Sequence, residues 1–348
     1  MELPRLGKKK GEEGYGQGRA AIAAGDDVLL DEDALVAELL ACLEAPTYKP
    51  PTLPAVALEV MAISQRPDVA IKDIVDLLER DALIAGRVLK VACSAVYSTA
   101  TKITSLRDAT MRLGLLTIRD LVMQITMEMR VFKSPDYAET MELLRRHATA
   151  TARLCRIVSK YTALEAEFSF MAGLLHDVGI AGTLLALSEK KGPRKTAPDL
   201  IAIWPAVDRV HPRASELMAM HWALPHDIRF ALSAHHQVLI QGYAHPLAAT
   251  VAIANELANE LGAGVIPKAS DDAGEDRDCL AAHSQVDRSS PHTLAQAREA
   301  LRIQDSTMAL IREEAKRAVE QLGEEAAPPP TAAAKPAPKL APKAVRRP

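Results

Sequence analysis

The sequence predicts an all-α protein, a multi-helix bundle in two helical subdomains with extended, unfolded ends. Three observations carry that expectation. Aromatic residues make up only 3% of a chain that is 48% apolar, and Ala, Leu, Val and Met supply most of the rest; all but Val are good helix formers, and runs suited to sheets are scarce. Apolar residues recur every three or four positions, the spacing that gathers them on one helical face. Pro and Asp clusters separate these runs at intervals suited to helix connections.

Residues 1–30 are Gly-rich, mixed in charge and without sustained periodicity, which predicts a leader unable to bury a core. The N-terminal subdomain is expected over 31–133. Asp31, Glu32 and Asp33 suit a helix N-terminus, and Leu35, Leu39 and Leu43 then share one face. Pro54 suits the first turn of a second helix through Val56, Val60 and Ile63. Further helical segments use Ile71, Ile74, Leu77 and Leu78, then Leu83, Ile84, Val88 and Leu89, then Leu106, Met111 and Leu113. A last one runs through Leu121, Val122, Ile125 and Met129. Ser105 to Gln124 has the outline of a helix–turn–helix, but the second helix is apolar and Arg119 is its one obvious phosphate contact. Asp81 and Arg87 read most simply as ion-pair residues.

Ser134-Pro135-Asp136 marks the expected boundary, with a second subdomain over 134–323. It opens with a helix over about 138–160 carrying His147. Helices follow at 211–221, 225–236 and 246–261, then an acidic irregular loop over 264–292 and an amphipathic pair over about 294–322. From 324 to 348, Pro and Ala alternate with Lys335, Lys339, Lys343, Arg346 and Arg347 and no acid. That composition favours an extended polyproline-like tail. It is either plain solvated chain or a basic arm for an acidic partner.

The formal net charge of −3 gives no electrostatic case for nucleic acid as the main partner, beyond a weak contribution from the tail. Cys42, Cys93, Cys155 and Cys279 form no CxxC pair, consistent with reduced thiols in a cytoplasmic protein. No apolar run is expected to reach the ~20 residues that span a bilayer, and the N-terminus lacks the apolar core of a signal peptide.

The chemistry-bearing stretch is Met171-Ala172-Gly173-Leu174-Leu175-His176-Asp177-Val178-Gly179-Ile180. Adjacent residues on a helix point about 100° apart, so His176 and Asp177 reach one metal only if the helix end enters a cleft lined by other ligands. His147, His211, His221, His235 and His236 are in supply, and imidazole plus carboxylate is a normal donor set for a divalent metal. Successive positions on a helix put at most one of His235 and His236 in such a cluster, and His235 is favoured. His211, beside Pro212, sits near an expected helix start. His221, His226, His245, His283 and His292 read as surface or packing residues. The plain alternative for the doublet is a buried, satisfied polar pair.

Over roughly residues 46–260 the chain resembles the HDOD family, an all-helical bacterial relative of the HD and HD-GYP metal-dependent phosphohydrolases. The resemblance is carried by Leu53-Pro54-Ala55-Val56, by the stretches 81–89 and 93–97, and by Ile103-Thr104-Ser105-Leu106 with Leu113-Gly114-Leu115. It continues with His147, with Ala172 to Gly179, with His211, with Trp222-Ala223-Leu224-Pro225 and with Ala234-His235-His236. It implies an N-terminal bundle packed on an HD-type bundle. It also implies a metal set of His147, His176 and Asp177, with His211, His235 and His236 as the further ligands of HD-GYP members, of which the helix-face argument keeps His211 and His235. The family's distal Asp falls at Asn255, and an amide is a poorer ligand for a hard cation than a carboxylate. Ile180 stands where HD-GYP enzymes have Lys, and 242–244 read Gly-Tyr-Ala. These departures imply no catalytic residue set and no required cofactor; any metal would be Mn, Fe, Zn or Ni. The resemblance points to a stand-alone bacterial signalling module acting through protein partners. The competing expectation is a metal-dependent phosphohydrolase of nucleotides or cyclic dinucleotides.

Overall fold

The computed structural model describes residues 31–94, 97, 102–164, 168–189, 197–265 and 290–326. The expected leader, most of the acidic loop, Cys279, His283 and the basic tail with Lys335, Lys339, Lys343, Arg346 and Arg347 lie outside them.

Helices dominate. The first six are α1 (Glu32–Leu43), α2 (Ala55–Ser64), α3 (Ile71–Leu78), α4 (Ala82–Ala92), α5 (Leu106–Leu113) and α6 (Leu115–Thr126), the last running into a π-helical turn at Met127–Val131. Then come α7 (Ala138–Lys160), α8 (Ser169–Leu175), α9 (Val178–Glu189), α10 (Leu200–His221) and α11 (His226–Ala234). A minimal antiparallel hairpin, β1 (Leu239–Ile240) with β2 (Tyr243–Ala244), precedes α12 (Pro246–Glu260), α13 (Pro291–Ala300) and α14 (Asp305–Ala326).

Helix starts follow the capping chemistry of the sequence. Asp31, Asp81 and Ser105 each accept backbone N–H groups of the first turn of α1, α4 and α5, satisfying donors that have no intrahelical partner. Asp81 is therefore a cap; Arg87 pairs instead with Glu128 at 2.6 Å. Gly114, with φ of +76°, makes the turn between α5 and α6, a conformation L side chains resist. Arg119, the phosphate contact imagined for a helix–turn–helix, is 3% exposed and holds Asp120 through Nε and Nη2 at 3.0 and 2.9 Å. It faces inward, so the α5–α6 pair presents no basic recognition surface there.

Two apolar clusters form the core. The larger runs from Leu39 and Leu43 of α1 through Val60, Leu78, Val88 and Ile118 to Leu144, Leu175 and Val207. The smaller gathers Leu154, Ala231, Val251 and Leu257 with Met308 and Ile311 of α14. The buried faces of α7 and α8 contribute to both, so these helices form the central layer. The run Ser169–Glu189 is long and apolar enough by composition to cross a bilayer, contrary to the expectation from the sequence, but 94% of its apolar window is buried inside the protein. It is interrupted at His176-Asp177, where the chain turns between α8 and α9.

Candidate metal centre

Four histidines and one aspartate converge where α7, α8, α10 and α11 meet. His147, His176, His211 and His235 are all fully buried, Asp177 is 1% exposed, and His236 is half-buried. The backbone sets the orientation of the four buried imidazoles. His176 follows the end of α8 and donates from Nδ1 to Gly173 O at 2.9 Å; His235 follows the end of α11 and donates from Nδ1 to Leu232 O at 2.7 Å. Both use carbonyls that the helix end leaves without an intrahelical partner. His211 lies inside α10 and donates from Nδ1 to Asp208 O at 2.5 Å. That carbonyl is free for a reason written in the next residue: Pro212 has no N–H to bond four residues back. His147 donates from Nδ1 to Ala263 O at 2.8 Å, beyond the end of α12.

A carbonyl can only accept, so each of these Nδ1 atoms carries a proton, and a ring with no second proton turns a bare Nε2 lone pair inward. The lone pairs face one another and Asp177. His147 Nε2 lies 3.2 Å from His176 Nε2; these two lie 3.4 and 3.1 Å from Asp177 Oδ2. His211 Nε2 lies 3.2 Å from His235 Nε2 and 3.1 Å from His236 Nε2, while His211 and His235 both stand 3.4 Å from Asp177 Oδ1. Neither Asp177 oxygen accepts a hydrogen bond of normal geometry. Acceptor against acceptor at such separations repels unless a cation or proton sits between them.

The residues fit a metal. Ligand atoms ~2.0–2.1 Å from a Zn-sized ion are ~3.0 Å apart along an octahedral edge and ~3.4 Å apart along a tetrahedral one. The spacings given above, 3.1–3.4 Å, lie within that range. They fall into a group of His147, His176 and Asp177 and a group of Asp177, His211, His235 and His236. Asp177 offers one oxygen to each. Electrostatics agree with a cation cage. Burial pushes His211 down to about 3 against the pull of Asp177, and burial likewise lowers His176 and His236. Burial, and the charge of Asp177, push the nearby Asp208 carboxyl up to about 7.

The turn after the doublet is fixed by close packing. Ser215 of α10 donates to His176 O at 2.7 Å and accepts from Gly179 N at 2.8 Å. A Cβ on Gly179 would overlap His211 O and lie 2.5 Å from Ser215 N. Gly179 is thus required for α9 to lie against α10 at the level of the centre.

The structure brings together His147, His176, Asp177, His211 and His235, and with them His236, which the resemblance includes and the helix-face argument leaves out. The angular argument against His236 presumes a continuing helix, but α11 ends at Ala234, and the turn lets both rings reach His211. His211 is mid-helix rather than near a helix start, because α10 accommodates both Pro205 and Pro212. Asn255 is fully buried on α12 and accepts from Asn259 Nδ2 at 3.2 Å. Elsewhere, His245 caps α12 by accepting from Ala248 N, His221 meets the Tyr48 ring edge-on, His226 stacks on Phe230, and His292 contacts Gln296.

Residues 51–238 match the HDOD domain model. The chain belongs to the HDOD family. It is similar to an HDOD domain protein of unknown function from Geobacter sulfurreducens, at 25% identity and a TM-score of 0.57, over 83% of this chain and 97% of that one. A protein from Shewanella amazonensis SB2B, named provisionally as a metal-dependent phosphohydrolase, matches at 22% identity and a TM-score of 0.55 over 83% of this chain and 99% of its own. At these identities the second likeness shows the fold. An uncharacterized protein of Treponema pallidum is 27% identical over 215 residues, 59% of this chain. The chain spans 41% of that relative's length. The HDOD fold with an assembled His/Asp cluster is thus established for this protein.

Proposed function

We propose that this HDOD protein is a regulatory module that holds one divalent ion in a sealed centre and signals through protein partners without hydrolysing phosphoesters. The observation that carries the reading is closure: four of the five imidazoles and the carboxylate are 0–1% exposed. A catalytic metal keeps an open position for water or substrate, whereas a structural one has its protein ligands complete.

Charge favours the larger group as the seat. Asp177, His211, His235 and His236 together supply four donors, as in closed tetrahedral sites. A second ion beside His147 and His176 would leave two dications against one carboxylate in a buried site, which is costly. Asn255, standing where the family resemblance implies a carboxylate, removes the charge that would offset it. When bound, such an ion would supply Lewis acidity and charge, held by Asp177, His211, His235 and His236, with His147 and His176 bordering the other oxygen of Asp177. Contact with partners is supported by Leu83, Met111 and Leu116, which are 65%, 53% and 48% exposed on the mutually packed helices α4, α5 and α6.

The half-buried edge of His236 supports a second reading, the metal-dependent phosphohydrolase, because a substrate oxygen could approach there. One experiment separates the two. Untagged protein is analysed for Mn, Fe, Zn and Ni, reloaded with each, and assayed with bis(p-nitrophenyl) phosphate and with linear and cyclic dinucleotides. About one metal per chain without turnover is expected. Turnover that needs metal and disappears in Asp177→Ala would sink the regulatory reading.

A further inference from the structure

On the outer face of α7, away from the metal ligands, Arg146, Arg153 and Lys160 recur every seven residues, in a helix whose inner face is apolar. Seven residues are nearly two turns, so these cations form one stripe ~21 Å long. Helix α14 runs beside the stripe and closes a groove of two chambers that share Arg153.

Among the described residues, the chamber of about 270 Å³ next to Ala263 is lined by Arg145, Arg146 and Arg153 and by no carboxylate. Arg145 is engaged by Glu142 and Glu128, Arg153 likewise has a partner, and Arg146 is exposed. Three guanidiniums around one cavity stand out in a chain of net charge −3. The same chamber has an apolar side made by Ala150, Val319 and Leu322. Guanidiniums recognise phosphate through charged, paired hydrogen bonds, and an apolar wall between them accepts a flat ring. The second chamber, about 450 Å³, offers Arg156, Lys160 and Arg317, with Arg156 and Lys160 already paired to Asp120 and Glu314.

We infer that the Ala263-side chamber binds a phosphate-bearing small molecule of nucleotide size, its phosphates on Arg146 and Arg153 and its ring on the Val319–Leu322 wall. The site backs onto the centre: Ala263, which lines it, is the residue whose carbonyl holds His147. An occupant is therefore one residue away from the hydrogen bond that orients His147, and a ligand there would influence the centre as an effector does. Binding itself stands independently of whether the centre holds metal.

The test uses the full chain, with N-methylanthraniloyl-ADP as the probe followed by fluorescence anisotropy, and inorganic pyrophosphate as competitor. Metal content is determined on the same samples. Saturable binding is expected in both metal-loaded and chelator-treated protein. It should weaken at least tenfold in Arg146→Ala and in Arg153→Ala, more in Arg146→Glu, and fall with added salt as screening predicts. Arg80→Ala, an exposed Arg paired with Glu59 outside the groove, should bind like wild type. Thermal melts establish that the variants are folded, and Arg153→Lys should recover part of the affinity. No saturable binding by wild type, or equal binding by Arg146→Glu, would overturn the site. Pyrophosphate binding as tightly as the nucleotide would overturn the assignment of its size and ring wall. Wild type that takes up no metal when reloaded yet binds the probe would overturn the metal reading of the centre and leave this site standing.

Discussion

Replacing Asp177 by Asn separates a metal centre from a buried polar pair, because it keeps the shape and removes the charge. In wild type both carboxylate oxygens face imidazole lone pairs and accept no normal hydrogen bond. With an ion in the centre at ~100 times its dissociation constant, binding contributes about 2.7 kcal/mol to folding. In a domain of this size that corresponds to a Tm shift of about 5–10 °C. Chelation should lower the Tm of wild type by that amount, and the Tm of Asp177→Asn should not respond. Chelated Asp177→Asn should be at least as stable as chelated wild type, because the amide can donate to an Nε2 and leaves no uncompensated buried charge. His211→Ala should also abolish metal binding, whereas His147→Ala leaves the four donors of the larger group in place and should weaken it less. Elemental analysis and differential scanning calorimetry read both quantities. A metal-free wild type indifferent to chelator, together with an Asp177→Asn variant that loses several kcal/mol, would refute the reasoning and leave the doublet as a structural network.

Three further outcomes follow from the geometry. Gly179→Ala should destabilise the fold by at least about 3 kcal/mol in urea titrations, since the overlap is with the backbone of α10 and no flexible side chain can yield. Pro212→Ala restores an N–H that competes with His211 for Asp208 O; metal affinity should fall about 10–100-fold by dialysis while the helix itself gains, and unchanged affinity would contradict the tie. Burial pushes the Cys155 thiol well above its ordinary range, so the folded state keeps a proton that the unfolded chain releases above about pH 8.5. Stability on that account is full below pH 8.5 and declines above it, by about 1.4 kcal/mol from pH 7 to 9.5; Cys155→Ala should lack this part of the decline, and parallel wild-type and variant curves would refute it.

The helical fold was legible because amphipathic spacing and caps are local. Leu39 and Leu43, the Asp81 and Ser105 caps and the Pro54 start all act within a few residues of themselves. The candidate ligands were legible as residue types, since His and Asp in an apolar setting are few. What stayed hidden depends on non-local geometry. His236 was set aside by a rule that holds within a helix and fails in the turn after Ala234. Arg119 looked like a surface cation because nothing nearby shows that α6 turns it onto Asp120 and that Arg156 of α7 meets the same carboxylate. The Ala263 carbonyl carries no side-chain signal at all, yet it fixes the tautomer of a histidine 116 positions away.

The prolines of α10 show how a local penalty becomes a device. Pro inside a helix removes a hydrogen bond and costs about 3 kcal/mol, and the expectation from the sequence is a helix that starts near His211. The helix instead begins at Leu200 and passes through Pro205 and Pro212. At Pro212 the orphaned acceptor is Asp208 O, and the imidazole one residue before the proline takes it. The bond that the backbone loses becomes the bond that locks His211, in the same way that the ends of α8 and α11 lock His176 and His235. Three interruptions of helical bonding therefore produce three imidazoles of one tautomer, each with Nε2 bare and aimed at Asp177. A buried polar pair kept only for packing needs no such agreement among separate segments; a cation site does.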